Sequence, residues 1–292
     1  MKIGVVGGGS VGLLVARYLC EDNDVTLYVR RIQQKQKIND HGLLLSNYTT
    51  ACKVKTLLIN ELQEEDCILI CVKQPDIVTV IPMLSTLNEH TPIIFLQNGM
   101  GHLEYIKDLA QPVYIGIVTH GALRKSDHIV TQSGKGVIKL ANFNGDDGQL
   151  SLLIEKLNNE LFPFLVESNW QKVLAEKLVI NAVINPLTAI FEVPNGDILR
   201  NAHLMYLAKE LCDEACSILQ LDFIDQWNHV KTVATNTKEN TSSMWKDLKD
   251  HKRTENEAIS GYLVKKSTIT TPYTTFVYNS MKALEVKKGI SD

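Results

Sequence analysis

Basic residues are not in excess in this chain. Thirty Lys and Arg stand against 33 Asp and Glu, a formal net charge of -3. Nothing in that balance points to nucleic acid or to an acidic membrane surface, both of which favour a basic face. Also lacking is an unbroken apolar run of the length a bilayer requires. The stretch 1–19 comes nearest to a secretory signal, with one Lys ahead of a mostly apolar run. Gly7, Gly8, Gly9 and Gly12 break it and Arg17 interrupts it again, which a tight glycine turn explains better. No metal-ligand cluster is visible. Cys212 and Cys216 stand four apart, but no His or second Cys pair lies nearby to complete a site. A chain this large and apolar has no need of a disulfide framework. The expectation is therefore a cytoplasmic protein with reduced, mostly buried cysteines and no metal. There is no internal repeat, low-complexity tract or obvious linker.

What is present is ordinary globular composition, 45% hydrophobic and 22% charged over 292 residues, and a length that calls for two domains. The first part alternates. A short apolar run at 2–6 ends in glycines, 11–21 has helical character, and 24–29 places Val25, Leu27 and Val29 two apart. The runs 66–72 (DCILICV) and 92–97 (PIIFLQ) are nearly continuous and apolar, as in strands buried on both faces of a parallel sheet. Helices are expected at 76–86 and 102–109, a strand at 113–120, and a hairpin over 128–141 turning at Ser133-Gly134-Lys135-Gly136. A helix at 149–161 and a closing strand at 163–167 complete this part. Beyond about residue 168 strand signals fade, and 170–184, 205–219, 225–240, 256–266 and 272–286 carry helical spacing. The pattern predicts an α/β fold: a Rossmann-type dinucleotide-binding domain over 1–168, then an all-helical domain over 169–292.

Gly7-Gly8-Gly9-Ser10-Val11-Gly12 fits G-x-G-x-x-G. The pattern alone is weak, but here it follows an apolar strand and opens a helix, as phosphate binding requires. The glycines permit the tight turn, close backbone approach to pyrophosphate and close helix–strand packing. The helix N-terminus adds unpaired N–H groups and the positive end of its dipole. NAD sites usually place Asp or Glu at the end of the second strand to hold the ribose hydroxyls. This chain has Tyr28-Val29-Arg30-Arg31 instead. A guanidinium fork matches a phosphate dianion, so NADPH is the expected cofactor, with Arg30 on its 2′-phosphate, helped by Arg31. Two solvated surface arginines are the plainer alternative. Lys73 and Asn98 follow the runs at 66–72 and 92–97, at the carboxyl edge where ligands of open α/β sheets bind. For Asn98-Gly99 a plain turn is the competing reading.

The segment 176–188 is the most informative. Lys177, Asn181 and Asn185 are spaced i, i+4, i+8, on one helical face, and they are bordered by Leu178, Val179, Ile180, Val183 and Ile184. A surface stripe is rarely bordered so fully by apolar residues. Buried polar groups need partners, which a cleft against the dinucleotide domain could supply; a solvated stripe on an amphipathic helix is the alternative. Pro186 should end or bend the helix. A cationic Lys there can stabilise and protonate the oxygen of a ketone attacked by hydride. The polar segments 239–244 and 253–255 suggest by composition no more than caps and turns.

GGGSVG at 7–12, NGMG at 98–101, EKLVINAVINPLTAI at 176–190, PNG at 194–196, ENTSSM at 239–244 and RTENEAISGYL at 253–263 together resemble the ketopantoate reductase family. The matches run in order over most of the chain, and the KLxxNxxINPLTA segment is the most specific. The resemblance implies NADPH-dependent reduction of 2-dehydropantoate to (R)-pantoate on the route to pantothenate and coenzyme A. It also implies a Rossmann domain and a helical domain with the active site between them. By that resemblance Lys177 is the general acid and Glu255 binds the substrate hydroxyl and helps orient the nicotinamide. Asn98, Asn181, Asn185, Asn195 and Ser243 hold substrate, and Asn240 and Lys73 lie near substrate or cofactor. The chain departs from the family at Gln74-Pro75-Asp76 and matches it only loosely from about Ser267.

Other readings stay open: a different branched 2-keto acid as substrate, a related dehydrogenase of 3-hydroxy or sugar acids, or a dinucleotide sensor without catalysis. A methyltransferase fits less well, because it gives Arg30 and Arg31 no phosphate to hold. The expected partner is a small 2-keto acid, with no nucleic acid or membrane, in a monomer or homodimer. Arg30→Glu is expected to raise the Michaelis constant for NADPH by about tenfold, the worth of one charge-assisted contact. An unchanged constant in steady-state assays would rule out Arg30 as a 2′-phosphate ligand.

Overall fold

A computed structural model describes residues 1–290. Two compact units are present: Met1–Gln97 with Leu103–Trp170, and Asn98–His102 with the chain from Gln171 onward.

The first unit carries eleven strands: β1 (Lys2–Val6), β2 (Asp24–Val29), β3 (Leu44–Leu45), β4 (Lys55–Leu58), β5 (Cys67–Ile70), β6 (Ile93–Phe95), β7 (Val113–Val118), β8 (Gly121–Arg124), β9 (Ile129–Gly134), β10 (Ile138–Asn142) and β11 (Phe164–Val166). Its helices are α1 (Ser10–Leu19), α2 (Ile32–His41), α3 (Gln74–Leu84), α4 (Leu103–Ile106) and α5 (Asp147–Leu157). The main sheet runs β11-β10-β7-β6-β5-β1-β2-β4. From β4 to β7 every pair is parallel. With the short β3 set aside, this is the 3-2-1-4-5-6 order of doubly wound dinucleotide folds, whose strand order reverses beside β1. All of β5, β6 and β7 is buried, which is why these strands read as continuous apolar runs.

The 128–141 segment is not a hairpin. β9 pairs antiparallel with β8 in a separate three-stranded sheet, β3-β9-β8, whereas β10 pairs antiparallel with β7 in the main sheet. The glycines at 134 and 136 therefore carry the chain from one sheet to the other. The small sheet lies against α1: the Tyr18 hydroxyl donates to Gln132 at 2.8 Å. Nearby, Phe162 stacks on Tyr18 and on His120, with centroids 4.6 and 4.1 Å away. The cysteines are not all reduced either. Cys20, at the end of α1, is joined to Cys52 by a disulfide. Cys52 pairs with Leu43 across an isolated bridge, which brings it beside Cys20 although 32 residues separate them.

The second unit is helical: α6 (Trp170–Phe191, whose first residue belongs to the first unit), α7 (Asp197–Arg200), α8 (Ala202–Leu219), α9 (Phe223–Asn236), α10 (Ser243–Lys249), a π-helical turn Glu257–Gly261, α11 (Tyr262–Lys266) and α12 (Pro272–Lys287). Pro186 does not end α6, which continues to Phe191. Pro186 lacks an N–H, but the helix around it is buried on all sides from Ala182 to Ala189, and that packing holds it together. Among the described residues α6 alone is long and apolar enough to cross a membrane, a correction to the expectation of no such stretch; 67% of its apolar window is buried inside the protein, as in a core helix. Caps are clear. Asn201 accepts from the first amides of α8 and Asp222 from that of Asp225 in α9. The buried carboxylate of Glu214 accepts from Tyr273 and Thr274 at the start of α12, at 2.9 and 2.7 Å, which satisfies donors a helix start leaves unpaired.

The glycine turn is the tightest point of the first unit. Gly7 adopts φ +117° and its N–H donates to Tyr28 at 2.9 Å. A Cβ on Gly12 would run into the Gly7 carbonyl, so only glycine lets α1 start so close to β1. Gly12→Ala is expected to cost about 1–3 kcal/mol, the usual cost of overpacking. It should lower the melting temperature by several degrees in calorimetry.

Candidate functional site

In the first unit, the phosphate-type turn is Gly7 to Gly12. Gly9 caps α1 with no side-chain hydrogen bond, which leaves the first N–H groups of the helix to an anion. Arg30 follows β2, exposed, and donates to Asp76 Oδ1 at 2.8 Å. Such a surface pair is weak and exchangeable. Lys73 takes the N-cap position of α3. Pro75 occupies the first turn of that helix, where its missing N–H costs nothing, so the Gln74-Pro75-Asp76 departure is accommodated as a helix start.

The remaining predicted residues all belong to the second unit. Lys177, Asn181 and Asn185 lie along α6 at successive turns, with Lys177 and Asn181 partly buried and Asn185 buried. Asn98 comes from the segment that follows β6 but packs with the helices. Its amide donates to Glu255 Oε2 at 3.0 Å. Gly99, at φ +75°, lies so close to the Ala258 carbonyl that a Cβ there would collide with it. Ala258 is in the π-helical turn, in which Gly261 N–H reaches back to the Asn256 carbonyl at 2.9 Å. π-turns recur at functional sites because they displace a stretch of helix without ending it. Burial pulls the Lys177 ammonium down to about 8, against the neighbouring Glu255 carboxylate, which pushes it back up. Asn98, Glu255 and Lys177 thus form one cluster.

A second cluster adjoins the other end of α6. Asn195 N–H donates to the Asn240 carbonyl at 3.1 Å, and its side-chain amide donates to Thr237 at 2.9 Å. The side-chain oxygen of Asn195, Oδ1, is buried with no hydrogen-bond partner among the described residues. Thr188 of α6 donates to Ser242 at 2.7 Å, and Ser242 also caps α10 through the Trp245 amide. Ser242 is the cap, which leaves the neighbouring Ser243 exposed, as is Asn240.

Sequence reading missed the residues that hold these clusters. Buried Glu285 of α12 accepts from the Thr254 amide at 2.9 Å and its hydroxyl at 2.7 Å, which fixes the residue before Glu255. Asn256 on the other side donates to the Tyr278 carbonyl at 3.0 Å. A carboxylate on a helix 31 residues away leaves no local signal. In the first unit Gln34, Arg124 and Asp127 gather around Gly8. Only the pairing of β8 with β9 brings Arg124 there.

The geometry defines a class: a dinucleotide-type α/β unit joined to a helical unit that carries a lowered lysine beside a carboxylate and amides, as in nicotinamide-dependent oxidoreductases. Comparison with known proteins is in accord. Residues 3–145 match the family model Ketopantoate reductase PanE/ApbA, and 169–285 match its C-terminal counterpart. The chain belongs to the ketopantoate reductase family. It is 39% identical to a 2-dehydropantoate 2-reductase of Bacillus subtilis over 98% of each chain. A solved structure of a probable 2-dehydropantoate 2-reductase from that organism superposes with TM-score 0.87 at 38% identity, covering 97% of this chain and 100% of that one. A D-mandelate dehydrogenase solved with NADH and anilino(oxo)acetate superposes with TM-score 0.93 at 23% identity over 100% of both chains, a likeness of fold.

Lys177 also sets a pH dependence. Its folded value near 8 lies below the unfolded lysine value of about 10.4. Between the two, the unfolded chain binds more protons, so stability rises with pH through that window. Below it the folded protein carries the full cost of a desolvated charge. Lys177→Met is therefore expected to raise the melting temperature at neutral pH, and the gain should vanish above about pH 10. A gain independent of pH would show that desolvation of the ammonium is not its cause.

Proposed function

We propose that this chain is a 2-dehydropantoate 2-reductase that uses NADPH and forms (R)-pantoate on the route to pantothenate and coenzyme A. The observation that carries the reading is the cluster of Lys177, Glu255 and Asn98, in which burial brings the ammonium to about 8. Such a group is protonated near neutral pH yet gives up its proton readily, as a general acid should. A non-catalytic dinucleotide sensor has no use for a costly buried ammonium of this kind.

NADPH, when bound, supplies the hydride. The turn Gly7 to Gly12, with Ser10 and Val11 opening α1, offers its amides to the pyrophosphate. Arg30 exchanges Asp76 for the 2′-phosphate, and Lys73 adds positive charge near the cofactor. Asn181, Asn185, Asn195, Asn240 and Ser243 hold the keto acid. The unpartnered Asn195 Oδ1 suits a substrate hydroxyl, and the exposed Ser243 suits the carboxylate. Lys177 gives its proton to the ketone oxygen as negative charge grows there. Glu255 accepts the substrate hydroxyl, and Asn98, which donates to that carboxylate, keeps it turned toward Lys177. The D-mandelate dehydrogenase likeness favours testing a second substrate, a plain aromatic 2-keto acid.

Consumption of NADPH absorbance with 2-dehydropantoate, run beside NADH and beside an aromatic 2-keto acid, tests the reading. Fast turnover is expected with NADPH and 2-dehydropantoate only; turnover with the aromatic acid alone would overturn the substrate. Lys177→Ala should lose about 10²–10⁴ in kcat, the usual worth of general acid catalysis. A loss below about tenfold would take the proton-donor role from Lys177. Glu255→Ala should raise the Michaelis constant for the keto acid more than that for NADPH.

A further inference from the structure

The glycine turn has an arginine beside it that no motif announces. Arg124 ends β8 in the small sheet, yet its guanidinium reaches the turn. Nη1 donates to the Gly8 carbonyl at 3.1 Å and Nη2 to Asp127 Oδ1 at 3.0 Å. Arg31, which follows the second strand and precedes α2, donates to the same Asp127 oxygen. Gln34 of α2 closes the ring, donating to the Gly8 carbonyl at 2.9 Å and the Asp127 carbonyl at 3.1 Å.

Two features set this group apart from a surface ion pair. Charge is unbalanced: two guanidiniums share one carboxylate oxygen, so the cluster keeps one net positive charge. Exposure is also low for charged residues, with 32% of the Arg124 side chain and 25% of Asp127 accessible, against 74% for Arg30. Burial draws the Arg124 guanidinium below the ordinary arginine range; Asp127 opposes that and Arg31 adds to it. Two like charges held this close, in partial burial, are stabilised by a further anion. Their place, on the glycine turn and at the end of β2, is where a dinucleotide fold presents the adenosine ribose.

We propose that Arg124 determines cofactor specificity, forming with Arg31 a preformed site for the 2′-phosphate in which Asp127 and Gln34 hold the forks in position. The inference rests on the NADPH reading above. Arg30 is then the outer, exchangeable contact, and Arg124 the inner, pre-oriented one. Pre-orientation is what turns a charge into discrimination, because little ordering remains to be done when the ligand arrives. A lysine cannot replace the fork, since one ammonium cannot donate in parallel to Gly8 and Asp127 and still face a phosphate with defined geometry.

The test is calorimetric titration of the apo-protein with 2′,5′-ADP and with ADP, which differ in the 2′-phosphate and contain no nicotinamide. The wild-type chain should prefer 2′,5′-ADP. Arg124→Ala should weaken 2′,5′-ADP by about tenfold, the scale of one charge-assisted bond, and leave ADP within about twofold. Arg124→Lys, which keeps the charge and disturbs the fold least, should fall between. Equal weakening of both ligands in either variant would show that Arg124 only ties the glycine turn to the small sheet, and the proposal would be wrong. An undiminished preference in folded variants, judged by thermal melts, would also overturn it while leaving the NADPH reading intact. A wild-type chain with no preference would remove that reading, and this inference with it.

Discussion

The desolvated ammonium of Lys177 is the constraint around which the helical unit is organised. Placing a charge among apolar residues on a buried helix is costly, and the nearby Glu255 carboxylate opposes the downward pull of burial on the ammonium. The position of Glu255 is therefore critical, because a carboxylate too close would pin the proton and one too far would let the lysine go neutral. Its position is set on three sides: by the Asn98 amide, by Thr254 locked onto Glu285, and by Asn256 tied to Tyr278. Gly99 lets the Asn98 segment come down onto the π-turn closely enough to make the first of these.

The first unit has a parallel logic at its glycine turn. Close approach of α1 to β1 excludes a side chain at Gly12 and leaves the helix start uncapped. The surrounding side chains then converge on the Gly8 carbonyl from α2 and from the small sheet. In both units the proposed site sits where backbone approaches backbone and is steadied by side chains far away in sequence.

Much of this was legible in the order of residues. The buried parallel strands announced themselves as continuous apolar runs, and the spacing of Lys177, Asn181 and Asn185 placed them on one helix face. The family resemblance then joined segments that composition leaves as mere caps and turns. Where reading failed, the failures share a cause. The stretch 128–141 has the local look of a hairpin, but its two strands find better partners in different sheets. Pro186 is expected to end or bend its helix; it does not end it, and packing on every side carries α6 past it. Cys20 and Cys52 lie in unremarkable surroundings, and only the fold brings them together.

By itself, then, the sequence determined what short-range physics can encode: which segments are strands or helices, the glycine turn, the polar face of α6 and the family. The tertiary structure alone decided which carboxylate meets which cation. Asp76 takes Arg30, Asp127 takes Arg31 and Arg124, and Glu255 acts on Lys177. Those choices depend on sheet order, on desolvation and on contacts across many residues. Secondary-structure periodicity carries none of that information, because it repeats every few residues while electrostatic environment is set by everything that packs nearby.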